Sequence, residues 1–282
     1  MLLRVMWMAS SHGAYNMRIR GRPGARIAEM EPTSMATFKD YFSKQASIYS
    51  RYRPHYPQAL FEYLALVAPG RDTAWDCGTG NGQAALGLTP YFRQVIATDP
   101  SEEQLRNAFP HEKIIYRQAQ AEDPGIEPRS VDLITVAQAI HWFDIERFYE
   151  QAKRALKPNG VLAAWCYALT RITPEIDRIT DRFYYETVGP YWPEERKLVD
   201  DGYVSLPFPF DEMQAPPISI ELTWSLDDLL GYFRTWSPTR RFIEQNGRDP
   251  VDDIAGELAS AWGDEDERRA HLPISMRIGR SE

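Results

Sequence analysis

Three groups of residues in this chain have types and spacings that can do chemistry. The first is Asp76-Cys77-Gly78-Thr79-Gly80-Asn81-Gly82-Gln83. Glycines at 78, 80 and 82 allow positive φ and let a ligand approach with no Cβ in the way. Ala84-Ala85-Leu86 then starts a helix, whose free N–H groups and positive dipole end face the same spot. The second is Asp99, at the end of the apolar run Val95-Ile96-Ala97-Thr98 and 19 positions after Gly80. A carboxylate there can accept hydrogen bonds from both hydroxyls of a ribose. It can also simply cap the helix opened by Pro100-Ser101; strand end, acid and spacing together favour the ribose. The third is Gln138-Ala139-Ile140-His141, where His141 is of a type that can act as a base, with a structural or hydrogen-bonding role as its alternative.

These residues need strands and helices to hold them. Pro69, Gly70 and Asp72 make a turn, 74–77 a strand, and 84 onward a helix. Residues 113–117 read as a third strand, leading into the polar turn 119–124, whose polar groups can hold an adenine, with Glu122 equally readable as surface loop. The unbroken apolar run 131–137 is a strand buried on both faces. A helix follows with Ile145, Phe148, Tyr149, Ala152 and Leu156 on one face. It stops at the turn Lys157-Pro158-Asn159-Gly160, and 161–166 is the fifth strand. Such alternation predicts a parallel sheet covered by helices on both sides. Upstream, Phe38, Tyr41, Phe42, Gln45, Ile48 and Tyr49 recur at helical spacing, Pro54 and Pro57 interrupt, and Leu60, Phe61, Leu64, Val67 and Ala68 mark the next helix. The aromatic and arginine cluster here reads either as part of the core or as a flap over a ligand, with Tyr49, Tyr52 or Arg53 near it.

Composition narrows the function. The net charge is −8, and no long Lys/Arg run follows residue 30, which argues against a nucleic-acid partner. No apolar run reaches the roughly 18 residues of a spanning helix. Cys77 and Cys166 lie in apolar strands without zinc or disulfide spacing, which suits a reducing cytoplasm; no metal site is expected. Residues 1–34 hold five arginines and two acids. They read as a disordered extension or a start placed too early, with a transit peptide as the alternative.

A strand, a glycine turn and a helix suit two nucleotide ligands. A dinucleotide fold wants G-x-G-x-x-G, and Gln83 stands where its third glycine belongs. Here the third glycine comes early and Asp76 precedes the turn. With Asp99, the block 131–143 and Leu156-Lys157-Pro158-Asn159-Gly160-Val161-Leu162 in this order, residues 38–168 resemble the class I S-adenosylmethionine (SAM) methyltransferases of the methyltransferase type 11 family. Ala137-Gln138-Ala139-Ile140-His141-Trp142-Phe143-Asp144 and Arg53-Pro54-His55-Tyr56-Pro57 resemble the branch with trans-aconitate and cantharidin methyltransferases. The resemblance implies a Rossmann-like α/β fold, with a seven-stranded, mostly parallel sheet. It implies SAM as cofactor, with Asp76, Gly78, Gly80 and Gly82 around its methionine part, Asp99 on its ribose, Gln120 and Glu122 beside adenine, and Gln138 and His141 facing the methyl group. Gln120 replaces the usual acid of the adenine turn.

Residues 171–210 break the alternation and read as a helical lid insertion, with 217–282 completing a domain that spans 35–282. In the tail, 217–224 alternates as a strand, Leu226, Leu229, Leu230, Phe233 and Trp236 form one helical stripe, Ala255, Leu258, Ala259 and Trp262 form another, and 273–278 is a final strand. The expected reaction is methyl transfer to a small molecule, on the oxygen of a carboxylic acid or similar group. Such an acceptor is already anionic at neutral pH and needs an orienting arginine more than a base. Arg53, Arg171, Arg240 and Arg241 are the candidates. Trp142, Tyr191, Trp192 and Trp236 are aromatic faces for the sulfonium or packing of the lid. A non-catalytic SAM-binding scaffold and a dinucleotide oxidoreductase are the competing readings.

Overall fold

The computed structural model describes Tyr52 and residues 54–281. The helical pattern at 38–49, the extension 1–34, and Tyr49 and Arg53 lie outside the described residues.

One sheet runs through the fold, built from β1 (Thr73–Cys77), β2 (Gln94–Asp99), β3 (Ile114–Gln118), β4 (Val131–Ala137), β5 (Leu156–Tyr167), β6 (Asp211–Glu212), β7 (Ile218–Trp224) and β8 (Arg268–Arg280). Their order is β3-β2-β1-β4-β5-β8-β6, with β7 also paired to β8. The first five strands are parallel, and β8 runs antiparallel to β5, β6 and β7. The seven expected strands are thus joined by a two-residue eighth, β6, which extends the edge beside β7. Strand order reverses at β1, which has β2 on one side and β4 on the other. Open α/β sheets bind ligands in the crevice at such a switch point.

Burial follows from composition. In β4 only Ala137 is partly exposed, and Asp132 is held by Lys157 at 2.8 Å. Helix α1 (Gln58–Val67) and helix α2 (Gln83–Leu88) cover one face with Leu60, Leu64, Ala85 and Leu88. The other face is covered by the helix Ile145–Ala155, capped by Asp144 and burying Phe148, Tyr149 and Ala152. The expected turn 157–160 is a bulge inside β5: pairing steps from Val131–Leu156 to Leu133–Val161, with Asn159 at φ 61°.

The lid and the tail differ most from expectation. They share one apolar cluster, in which Ile176, Ile179 and Phe183 of the lid pack with Leu229, Phe233 and Leu258 of the tail. The residues read as a lid therefore share their core with the C-terminal half of the domain. The stripe from Leu226 to Trp236 also spans two helices. The first ends at Arg234, and Trp236 precedes a second, Ser237–Asn246, opened by Pro238 and closed at Gly247 with φ 68°. Proline in a first turn suits a helix start and ends the one before it.

Candidate active site

The glycine turn is clasped to the end of β2. Gly78 and Thr79 both donate their backbone N–H to the carbonyl of Thr98, at 2.8 and 3.0 Å. Asp99 completes the clasp: one oxygen accepts from Gly80 N at 2.8 Å and the other from Ser101 N at 2.9 Å. Each carboxylate oxygen retains a lone pair for a ligand hydroxyl.

The three glycines do different work. A Cβ on Gly78 would sit 2.6 Å from that of Ala139, and one on Gly82 would sit 2.2 Å from the hydroxyl of Tyr116. On Gly80 the nearest atom would be Gln104 Oε1 at 3.9 Å, so only this glycine leaves open space. Gly78, Gly80 and Asn81 line a crevice of about 210 Å³, with Gln104, Gln138 and Tyr167 on its other walls. Gln83 ties the segment before α1 to this turn, donating to the Pro54 carbonyl at 3.1 Å. That gives a physical reason for a glutamine where a dinucleotide turn has glycine.

Asp76 and Gly82 do not face the crevice. Asp76 is wholly buried, and its oxygens accept from the hydroxyls of Thr79 at 2.5 Å and Thr135 at 2.7 Å. Burial pushes its pKa up to about 6, partly relieved by those two hydroxyls. It holds the turn onto β4 from behind. Glu122 likewise turns to protein, accepting from the backbone N–H of Asp144 at 2.8 Å and tying the polar turn to a helix start. Gln120 is exposed and pairs with Asp123 across that turn.

Gln138 follows β4 with φ 58°, a left-handed conformation for a residue with a side chain. Its N–H is held by the Trp165 carbonyl at 2.9 Å. Such backbone persists where the surroundings enforce it, often at functional sites. Gln138 and Tyr167 border the crevice and also a second cavity of about 230 Å³, so the two meet there. His141, Trp192, Arg196, Tyr232 and Trp236 line the second cavity, and Trp142 stands at it 58% exposed.

Arg196 is the feature that sequence reasoning missed. Its Nε donates to the Tyr184 hydroxyl at 2.6 Å and to Asp200 at 3.2 Å, and its guanidinium lies 4.4 Å from the Trp192 ring centre. Burial opposes its charge, and Tyr184 and Asp200 more than offset that, so its pKa is raised. Among the described residues its two terminal nitrogens have no hydrogen-bond partner, leaving a fork of N–H groups at the cavity. Three of the four expected arginines lie elsewhere, Arg53 being outside the described residues: Arg171 is paired with Asp181, Arg240 is exposed, and Arg241 donates to the Tyr191 carbonyl. No spacing in Pro193-Glu194-Glu195-Arg196 marks it, because the packing of Tyr184 and Trp192 selects it.

His141 is half-buried, with Nδ1 3.0 Å from the Tyr203 hydroxyl. Burial, and then the Arg196 charge, push its pKa down to about 4. It is neutral at physiological pH.

Comparison with known proteins agrees with this geometry. Residues 75–164 match a methyltransferase domain model. A Dictyostelium discoideum protein named as a methyltransferase is 37% identical over 253 residues, covering 87% of this chain and 96% of that protein. CRG1 of Saccharomyces cerevisiae, named as an S-adenosylmethionine-dependent methyltransferase, is 35% identical over 132 residues, 44% of this chain and 45% of its own. A solved structure from Anaeromyxobacter dehalogenans, described as a type II methyltransferase, superposes with a TM-score of 0.77 at 47% identity, covering 81% of this chain and 97% of that one.

Proposed function

This chain belongs to the class I SAM-dependent methyltransferases, and from that premise we propose that its acceptor is a small carboxylic acid methylated on oxygen. SAM, when bound, supplies an electrophilic methyl: a carboxylate oxygen forms the new C–O bond while the S–C pair returns to sulfur, with no proton to remove. The crevice suits this cofactor because the missing Cβ of Gly80 leaves its wall open. In this reading Gly78, Gly80, Asn81 and Gln138 hold the methionine end and Asp99 the ribose, with Gln120 and Glu122 at the adenine turn. Asp76 acts from behind by fixing the turn.

The observation that carries the acceptor class is Arg196. A guanidinium fork matches a carboxylate in two parallel hydrogen bonds. Tyr184 and Asp200 hold its Nε, and Trp192 covers its face, so its free N–H groups are aimed before any acceptor arrives. Preorganisation of this kind lets binding place an oxygen on the transfer axis, and aromatic walls keep water away. Net charge −8 supports a small-molecule acceptor over a nucleic acid. Among the described residues no helix is long and apolar enough to cross a membrane. The two free, buried thiols suit a reducing compartment, so we place the protein in the cytoplasm.

The test is transfer of labelled methyl from SAM to matched sets of small acids, alcohols and amines. Alkali-labile methyl esters from one or more acids are expected. Transfer confined to alcohols or amines by a folded, SAM-binding protein would sink the acid assignment.

A further inference from the structure

His141 has two ring nitrogens, and which one carries the proton decides whether it can be a base. The answer lies behind it, in Tyr203. The Tyr203 side chain is 0% exposed, yet its backbone is left-handed at φ 67°, directly after Gly202 at φ 67°. Arg277 fastens this turn by donating to the carbonyls of Tyr203, Val204 and Leu206. Tyr203 N also bonds the Leu198 carbonyl at 2.8 Å. A strained turn held from several sides thus brings one phenol to His141.

That phenol keeps its proton, because burial pushes its pKa well above the usual tyrosine range. Among the described residues, its hydroxyl has one hydrogen-bond partner, His141 Nδ1 at 3.0 Å. A buried O–H without an acceptor costs more than an idle lone pair on a phenol oxygen, so the hydroxyl donates. Nδ1 then accepts, and a neutral imidazole must carry its hydrogen on Nε2. Two groups beside this pair, Arg196 and Cys166, do not reverse the assignment. Arg196 is a cation with nothing to accept a proton, and Cys166 is a buried thiol pushed up to about 12.

We propose that Tyr203 is a positioning residue that locks His141 as its Nε2–H tautomer, so that His141 presents the acceptor with a hydrogen-bond donor and no base. The tautomer does not depend on what the acceptor is; its consequence for acceptors rests on the acid reading above. A donor at that place holds the non-reacting oxygen of a carboxylate while the other is methylated. A neutral alcohol, which needs a base, finds none there.

The experiment is nitrogen NMR of the full chain labelled with ¹⁵N-histidine, at pH 7. The His141 signals are those that vanish in His141→Gln. The expected pattern is a protonated nitrogen at Nε2 and a bare one at Nδ1, drifting to a tautomer mixture in Tyr203→Phe. A protonated Nδ1 in the wild type overturns the proposal, whether or not Tyr203→Phe folds. A second readout uses an acid found in the acceptor screen. Glutamine can place an N–H near the Nε2 position, so His141→Gln should stay within about tenfold of wild type while His141→Ala and His141→Asn lose more. Equal losses for Gln and Ala would mark a base and overturn it too. The Nε2–H pattern together with a failed acid screen would remove the acceptor class and leave the tautomer standing.

Discussion

The two cavities meet at Gln138 and Tyr167, yet they are built on opposite plans. The crevice beside β1 is made by backbone. Its turn is clasped by main-chain N–H groups to Thr98, and the buried carboxylate of Asp99 is bonded to two more. The second cavity, proposed for the acceptor, is made by side chains: Trp192, Tyr232 and Trp236 wall it, and one guanidinium supplies its charge. A backbone site can recognise what is common to every reaction of a family. A side-chain site can be changed one residue at a time without touching the other. The comparison predicts that damage to one cavity should spare the other.

The largest effect should come from Arg196→Met, which keeps the apolar stem under Trp192 and removes the fork. Hydrogen bonds to charged groups contribute ~1.5–3 kcal/mol, so kcat/KM for an acid should fall by roughly 10²-fold. The negative charge of a carboxylate acceptor would be consumed during transfer, so the attraction would be strongest before it, and the loss should appear more in KM than in kcat. SAM affinity, measured by calorimetry, should stay within about twofold. A comparable loss of SAM binding would mean that the two cavities are one site.

Next in size is Asp99→Ala. SAM should bind at least tenfold more weakly, a change of about 1.4 kcal/mol. Because the same carboxylate holds Gly80 N and Ser101 N, Asp99→Asn serves as the control. Its one remaining carbonyl oxygen can hold only part of the clasp. Unchanged SAM affinity in both variants would leave Asp99 as a structural clasp alone.

The difference in plan also explains what could be read in advance. A backbone site needs glycines and a strand-end acid at fixed spacing, and these lie within Gly78 to Asp99 in the chain. The parallel sheet was legible for the same reason, since β1, β2, β4 and β5 are short apolar runs cut by turns. The acceptor cavity draws on residues around 138, 167, 196 and 236, brought together only by tertiary packing. Arg196 therefore looked like one more charge in a polar stretch, while Arg171, Arg240 and Arg241 were equally plausible and lie elsewhere. Asp76 and Gly82 had the right types for ligand contact and turned out to face Thr135 and Tyr116. Periodicity also joined Trp236 to the helix before it, because an apolar stripe does not register the break that Ser237-Pro238 imposes.

Within the turn itself, alanine at each glycine separates ligand approach from packing. Gly80→Ala meets open space, and its cost is an alanine at φ 56°, roughly 1–2 kcal/mol. Gly78→Ala and Gly82→Ala add collisions at 2.6 and 2.2 Å to a similar strain. Thermal melts should place Gly80→Ala lowest in stability loss, by a few degrees. Calorimetry should show it losing more SAM affinity than its small loss of stability explains. If all three fall together in both assays, the distinct roles of the glycines are wrong.

The smallest effects concern pH, and here the two cavities pull in opposite directions. Asp76 behind the crevice has its pKa raised to about 6 by burial. The folded protein therefore holds its proton more tightly than the unfolded chain, and the stability this gives is present at low pH and lost as pH rises through about 6. His141 beside the acceptor cavity is lowered to about 4, by burial and by Arg196. Its contribution is present above the ordinary histidine value near 6.5 and is lost as pH falls toward 4. Between about pH 4 and 6 the two slopes oppose each other and flatten the wild-type profile. Asp76→Asn removes one of them. Its amide can still bond Thr79 and Thr135, because each hydroxyl can donate or accept. The variant should melt a few degrees higher than wild type at pH 7, where a buried charge has been removed, and should lose stability more steeply on acidification. His141→Gln should do the reverse, keeping its stability into acid. Parallel profiles for wild type and both variants would mean that neither group titrates differently in the folded chain, and that the electrostatic contrast between the two cavities does not exist.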